Sequence, residues 1–200
     1  SGDAPADRTS VGALPSLQAR QPEATRGLSE RSPGSRGLAD PVAGRASDRP
    51  LPASPPERLS IPAIGVDVEV MDLGLRADGT LEVPPGPFPA GWYTGSPTPG
   101  ELGPAIVAGH VHYDDEPGVF VDLASLGAGD VISVVRRDGT TAVFRVQRTE
   151  RYAKAAFPTN EVYGDIDHAG LRLITCGGLD PATGVYEDNV VVFAELSGAA

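Results

Sequence analysis

The sequence predicts an all-β domain, a closed or nearly closed barrel of about eight short strands. Three observations carry this. Apolar residues recur every second position in short runs. The 25 glycines and 20 prolines, against 6% aromatic residues, suit many turns. No long helical period interrupts the runs, and eight or so strands without a long helix close most economically as a barrel.

Element by element, Leu59-Ser-Ile-Pro-Ala-Ile-Gly-Val alternates apolar and small residues, and Val66-Asp-Val-Glu-Val-Met-Asp-Leu alternates by two like a half-buried strand. Asp78-Gly79 marks a turn before a strand over Thr80-Leu-Glu-Val. Pro84-Pro-Gly-Pro-Phe-Pro is a loop leading to Gly91-Trp-Tyr, and Pro104-Ala-Ile-Val-Ala-Gly-His reads as a buried central strand ending at His110. Phe120-Val-Asp-Leu-Ala-Ser-Leu reads as one short helix. Asp138-Gly139 joins two alternating runs, Asp130–Arg137 and Thr141–Arg148, as a hairpin. Leu171–Cys176 is a strand ending at the cysteine, and Asn189–Leu196 is the last strand.

Composition breaks sharply near Arg58. Residues 1–58 contain no Phe, Tyr, Trp, Ile, Met or Cys and are rich in Pro, Ser, Ala, Gly and Arg. Such a segment buries too little apolar surface to offset the entropy of ordering it, so 1–58 is expected to be a disordered linker and 59–200 the folded domain. Eight arginines nearly cancel seven acids in the linker, which leaves the domain at a net charge of about -12. That field excludes a nucleic-acid role, and the interspersed acids make the linker a poor basic arm. No run of ~18 apolar residues is present, so nothing here is expected to span a membrane.

One cysteine excludes a disulfide framework and a Cys-rich zinc site. Cys176 nevertheless stands at a strand end before Gly177-Gly178, where a peptide can approach and backbone N–H groups can face an oxyanion. His110 is delivered in the same way by Ile106-Val-Ala-Gly. A thiol titrates near ~8.5 and imidazole near ~6.5, so side by side they form a nucleophile and its proton partner. Each alone has a plainer reading, a small buried hydrophobe and a structural histidine. His112, in a polar loop, and His168, in a surface loop, are weaker candidates. Asp114-Asp-Glu lacks calcium-loop spacing and reads as a solvated loop; no metal, no calcium requirement and no cofactor are expected.

Ala108-Gly-His followed by Leu173-Ile-Thr-Cys resembles the sortases, the cysteine transpeptidases of Gram-positive cell surfaces. Ile61-Pro-Ala-Ile-Gly-Val, Ala90-Gly-Trp-Tyr, Pro104–Val111, Arg151-Tyr with Ala156-Phe-Pro-Thr, Leu171–Gly178 and Tyr186–Ala194 extend the likeness over Leu59–Leu196. The combination is most similar to actinobacterial class F (class E-like) sortases. The resemblance implies an eight-stranded sortase barrel with short helices. It implies cleavage of a Leu-Pro-x-Thr-Gly-type sorting signal through an acyl-thioester on Cys176, with transfer to an amine of the cell wall or of another protein, or to water. It also implies an extracellular location, with a membrane anchor that this chain does not contain and residues 1–58 as its tether. Most sortases carry an arginine after the cysteine, but no Arg or Lys follows Cys176 here. By spacing the slot falls at Asn189, whose amide can donate to an oxyanion but brings no charge. Alternatively Asn189 is a turn residue satisfied by local backbone. Arg172, on the face of Cys176 but ~13 Å away, and Arg151 are the other candidates. The gap admits two further readings, a sortase-like peptide-binding module with little activity and a cysteine-dependent cell-wall cross-linking enzyme of another fold.

Overall fold

The computed structural model describes residues 49–179 and 186–200. The expected disordered linker therefore lies, up to residue 48, outside the described residues. The chain forms β1 (Pro56–Ile61), β2 (Val66–Leu73), β3 (Ala90–Tyr93), β4 (Gly103–Ala108), β5 (His112–Tyr113), β6 (Glu116–Pro117), β7 (Val131–Arg136), β8 (Thr141–Ala153), one short helix α1 (Thr159–Tyr163), β9 (Ala169–Leu179) and β10 (Tyr186–Ala199). Eight strands close into a barrel in the order β1-β2-β3-β4-β9-β10-β8-β7, with β5 and β6 as a separate small hairpin.

The alternation sets the layers. On β9 and β10 the residues Leu171, Leu173, Val190 and Val192 fill the barrel interior with Leu59, Ile61, Val107 and Phe144. Their neighbours Ile174, Val191 and Phe193 point outward and join Ile106, Ala108, Leu73 and Leu81 in a second cluster. Val162 of α1, fully buried, caps that outer cluster. β4, β9 and β10 are thus covered on both faces, which explains their near-continuous apolar runs. Burying a side chain such as Val162 contributes about 1.5–3 kcal/mol, enough to hold so short a helix in place.

The two Asp-Gly turns share one chemistry. Arg76 N–H donates to Thr80 O and Arg136 N–H to Thr140 O, while Asp78 and Asp138 each accept from the backbone and hydroxyl of the threonine two residues on. The second turn closes the β7–β8 hairpin as expected. The first does not start a strand: Thr80–Val83 makes only a single bridge, Leu75 to Leu81, and Leu81 is used instead in the outer cluster. The expected helix at 120–126 shrinks to one 3-10 turn over Leu123–Ser125.

The folded part begins earlier than the expected boundary at residue 58. β1 starts at Pro56, and Leu51 N–H donates to Gly100 O. Ser54 is buried, with its N–H on Thr98 Oγ1. The cause is Arg136, whose buried guanidinium donates to the carbonyls of Ser54 and Pro52 and to Thr140 Oγ1. A buried cation needs such acceptors, and a Pro- and Ser-rich segment supplies them through its backbone.

Candidate active site

β4 and β9 run parallel and in register, Ala108 opposite Ile174, so the residues just beyond that pair on each strand emerge at the same edge of the barrel. β4 stops at Ala108. The chain then turns through Gly109, held by Gly109 N–H to Ile174 O at 3.2 Å and by Thr175 Oγ1 to Gly109 O at 2.8 Å. This fixes His110 beside the stretch of β9 that carries Cys176, and the two line one cleft with Val83, Pro84, Ala108, Gly109, Ile174 and Thr175. Both are largely buried. Contrary to the expected strand end, β9 continues past Cys176, and Gly177 and Leu179 still pair with Asp188 and Tyr186 of β10. The glycines thus extend a two-stranded ribbon beyond the point where β4 leaves off.

The histidine is oriented from three sides. Its Nε2 lies 2.7 Å from Pro84 O. A carbonyl can only accept, so Nε2 carries the proton and Nδ1 is the atom left to take one up. The Tyr113 ring stands edge-on to the imidazole, 5.2 Å between centroids. Beneath, Gly118 packs so closely that a Cβ there would lie 2.3 Å from His110 O. Asp114 and Asp115 have φ of 46° and 66°, the left-handed values of a two-residue hairpin turn between β5 and β6. Asp and Asn tolerate that region, which gives the acidic run a structural role.

Asn189 lies directly opposite Cys176 in the β9–β10 register and so shares its face. It is fully buried, and among the described residues neither Oδ1 nor Nδ2 has a hydrogen-bond partner. Its neighbour on the other side is Tyr152 of β8, whose hydroxyl is pushed up to about 12 by burial and then by its bond to Glu150. Arg151 pairs with Val190, so by strand parity it belongs to the opposite face from Cys176; it is half-exposed and faces Asp188 at 3.8 Å. Arg172 shares the face of Cys176 but lies two outward positions along β9, its guanidinium over the Phe193 ring at 4.7 Å.

Two features of the rim escape a linear reading. Tyr186 hydroxyl and His112 Nδ1 share a hydrogen bond of 2.8 Å, tying the start of β10 to the β5–β6 hairpin. Burial, with the nearby Cys176 adding, raises the Tyr186 hydroxyl above its ordinary value. His168 sits elsewhere, against Asp167 and Glu195. No cluster of three or more metal-ligating side chains occurs among the described residues.

The closed eight-stranded barrel thus carries a histidine and a cysteine in one cleft at its rim. The family model for the sortase domain matches residues 59–197, and the chain belongs to the sortase family, a family of cysteine transpeptidases. Among solved structures it is similar to the SrtA sortase of Actinomyces oris, at 22% identity over 72% of this chain and 81% of that one, TM-score 0.57. It is similar also to sortase C-1 of Actinomyces oris, at 21% identity, 70% and 72% coverage and TM-score 0.52. Sortase A of Corynebacterium diphtheriae gives 19% identity, 72% and 61% coverage and TM-score 0.53. At these identities the likeness shows the fold. A comparison with curated sequences finds no significant match.

Proposed function

We propose that this protein is a cysteine transpeptidase of the class F (class E-like) kind, acting on Leu-Pro-x-Thr-Gly-type sorting signals at the outer face of a Gram-positive cell. The observation that carries the reading is the placement of His110 and Cys176 in one cleft, with Asn189 directly across from the cysteine. Cys176 Sγ attacks the threonyl carbonyl, and Asn189 Nδ2–H donates to the oxygen that becomes negative. His110, anchored through Nε2–H on Pro84 O, takes the thiol proton at Nδ1 and returns it to the leaving glycyl amine as the C–N bond breaks. The acyl-thioester is then resolved by an amine of the cell wall or of a second protein, or by water; the incoming group gives its proton to His110 Nδ1 as the C–S bond breaks and Sγ leaves as the thiolate.

Intact-mass measurement after exposure to a panel of Leu-Pro-x-Thr-Gly peptides tests this. The expected result is an acyl adduct on Cys176, released by an added amine and lost in Cys176→Ala. Unmodified protein with every peptide, together with tight peptide binding, would make the domain a binding module instead.

A further inference from the structure

A second cleft, of about 320 Å³, opens on the outer face of the barrel at the opposite end of the apolar cluster from Cys176. Its floor is Arg172 of β9 with Phe193 and Glu195 of β10; Arg148 of β8 and Asn160 and Glu161 of α1 form the walls. Arg172 is 5% exposed. It spends one N–H on Leu171 O of its own strand, and its buried Nε–H has no acceptor. Among the described residues no carboxylate lies within 4.0 Å of its guanidinium, whereas both cleft carboxylates are engaged: Glu161 with Arg148 at 2.5 Å, Glu195 with His168 at 3.6 Å.

The local sequence keeps this space open. At Gly170, on the same face, a Cβ would stand 3.1 Å from Arg172 Nη1, so any larger residue crowds the guanidinium. Phe193 supplies an aromatic floor on which both Arg148 and Arg172 stack, 3.7 and 4.7 Å from the ring centroid. Burial, with Arg148 adding, lowers Arg172 to about 10, so it remains a cation at neutral pH. A desolvated guanidinium with an unused donor is the group that most favours a carboxylate or phosphate. Glu161 and Glu195 line the cleft beside the two arginines, so its charge suits a monoanion better than a dianion.

We infer that this cleft binds the free α-carboxylate of an amino acid or peptide terminus, with Arg172 as the anion receptor and the Asn160 amide and Arg148 beside it. The site stands about 13 Å along β9 from Cys176, four residues of strand, and its occupation requires no thiol chemistry.

The test is a titration of the ¹⁵N-labelled full chain carrying Cys176→Ala, followed at the Arg172 Nε–Hε resonance, at constant ionic strength. The ligands are glycine, N-acetylglycine, inorganic phosphate and chloride. Saturable shifts with glycine and N-acetylglycine, weaker with phosphate and absent with chloride, are expected. Asn160→Ala should weaken carboxylate binding severalfold, and Arg172→Met should abolish the shifts at the Phe193 and Glu195 amides. An immobile Nε–Hε resonance, equal linear drifts with all four salts, or tighter saturation by phosphate than by either carboxylate would each overturn the proposal. Asn160 is exposed, so that variant keeps the test decisive if Arg172→Met fails to fold. Because the thiol is absent throughout, the result is independent of whether Cys176 forms a thioester.

Discussion

Replacing Asn189 by alanine separates catalysis from stability with opposite signs. Asn189 is fully buried, and both of its amide atoms lack partners among the described residues. An unsatisfied buried donor or acceptor costs about 1–3 kcal/mol. Truncation to alanine removes two such atoms and forfeits about 1 kcal/mol of packing for the lost carbon. The fold should therefore be as stable as before or up to a few kcal/mol more so, with the melting temperature rising by about 2–4 °C for each kcal/mol in a domain of this size. Activity should move the other way. If Nδ2–H serves the oxyanion, its worth is about 10²–10³ in rate, or ~2.7–4 kcal/mol, and the loss falls on kcat more than on KM. The assay pairs steady-state cleavage of the sorting-signal peptide with thermal unfolding of the same preparations. A kcat within twofold or so of wild type, accompanied by a lower melting temperature, would refute the reasoning and make Asn189 structural. Matching substitutions at Arg151 and Arg172 in the same assay show whether either arginine contributes more.

Gly118→Ala should lower activity by an order of magnitude or more while Cys176 still reacts with a thiol reagent, because a Cβ at 2.3 Å from His110 O must displace the histidine; wild-type kcat in that variant would show that the loop gives way. Cutting the chain before Leu51 should leave the urea midpoint unchanged, whereas cutting before Leu59 removes the Pro52 and Ser54 carbonyls from buried Arg136 and should cost about 3–5 kcal/mol; equal midpoints for the two truncations would contradict the clamp. Acid should weaken the barrel in part through surface carboxylates of its turns and strands. Hydrogen bonds from Thr80 and Thr140 hold Asp78 and Asp138 below the usual carboxylate range, and Arg58 and Tyr152 do the same for Asp67 and Glu150. Folded values below the unfolded ones mean that this stability is complete above the ordinary carboxylate range of ~4 and is lost as pH falls through the lowered values. The urea midpoint should decline below about pH 4 and decline less in Thr80→Val/Thr140→Val; a flat profile to that acidity would exclude these groups.

The barrel was legible because strands declare themselves by parity and the Asp-Gly turns by composition. That His110 and Cys176 share one rim was legible for the same reason, each lying just beyond or within an apolar run that forms a central strand. What the sequence concealed were contacts made by backbone. Pro84 presents a carbonyl to His110, and Pro52 and Ser54 present carbonyls to Arg136, yet a carbonyl leaves no mark in residue identity. That is why the segment before Arg58 read as pure linker. The failed strand at Thr80–Val83 and the ribbon beyond Cys176 have one cause. Local alternation and a glycine pair each described a plausible element, but pairing partners elsewhere in the chain decided which residues entered the ladder. The two-sided burial of β4, β9 and β10 was visible as unbroken apolar runs, while the short helix that covers them, too brief for a period, was not.

The position of β10 in the barrel has a temporal consequence. It follows β8 and β9 in the chain, yet it sits between them and carries the residue that lies opposite the cysteine. Until it inserts, β8 and β9 each present an open edge, and the strand that carries Asn189 is not yet beside Cys176. A growing chain therefore holds Cys176 before it holds Asn189 opposite it, and the pairing of the two waits for the fourteen-residue β10. Because β10 must also pair with β8, across the whole of α1 and β9 in sequence, the strand order ties closure of the barrel to a pairing that is slow to form.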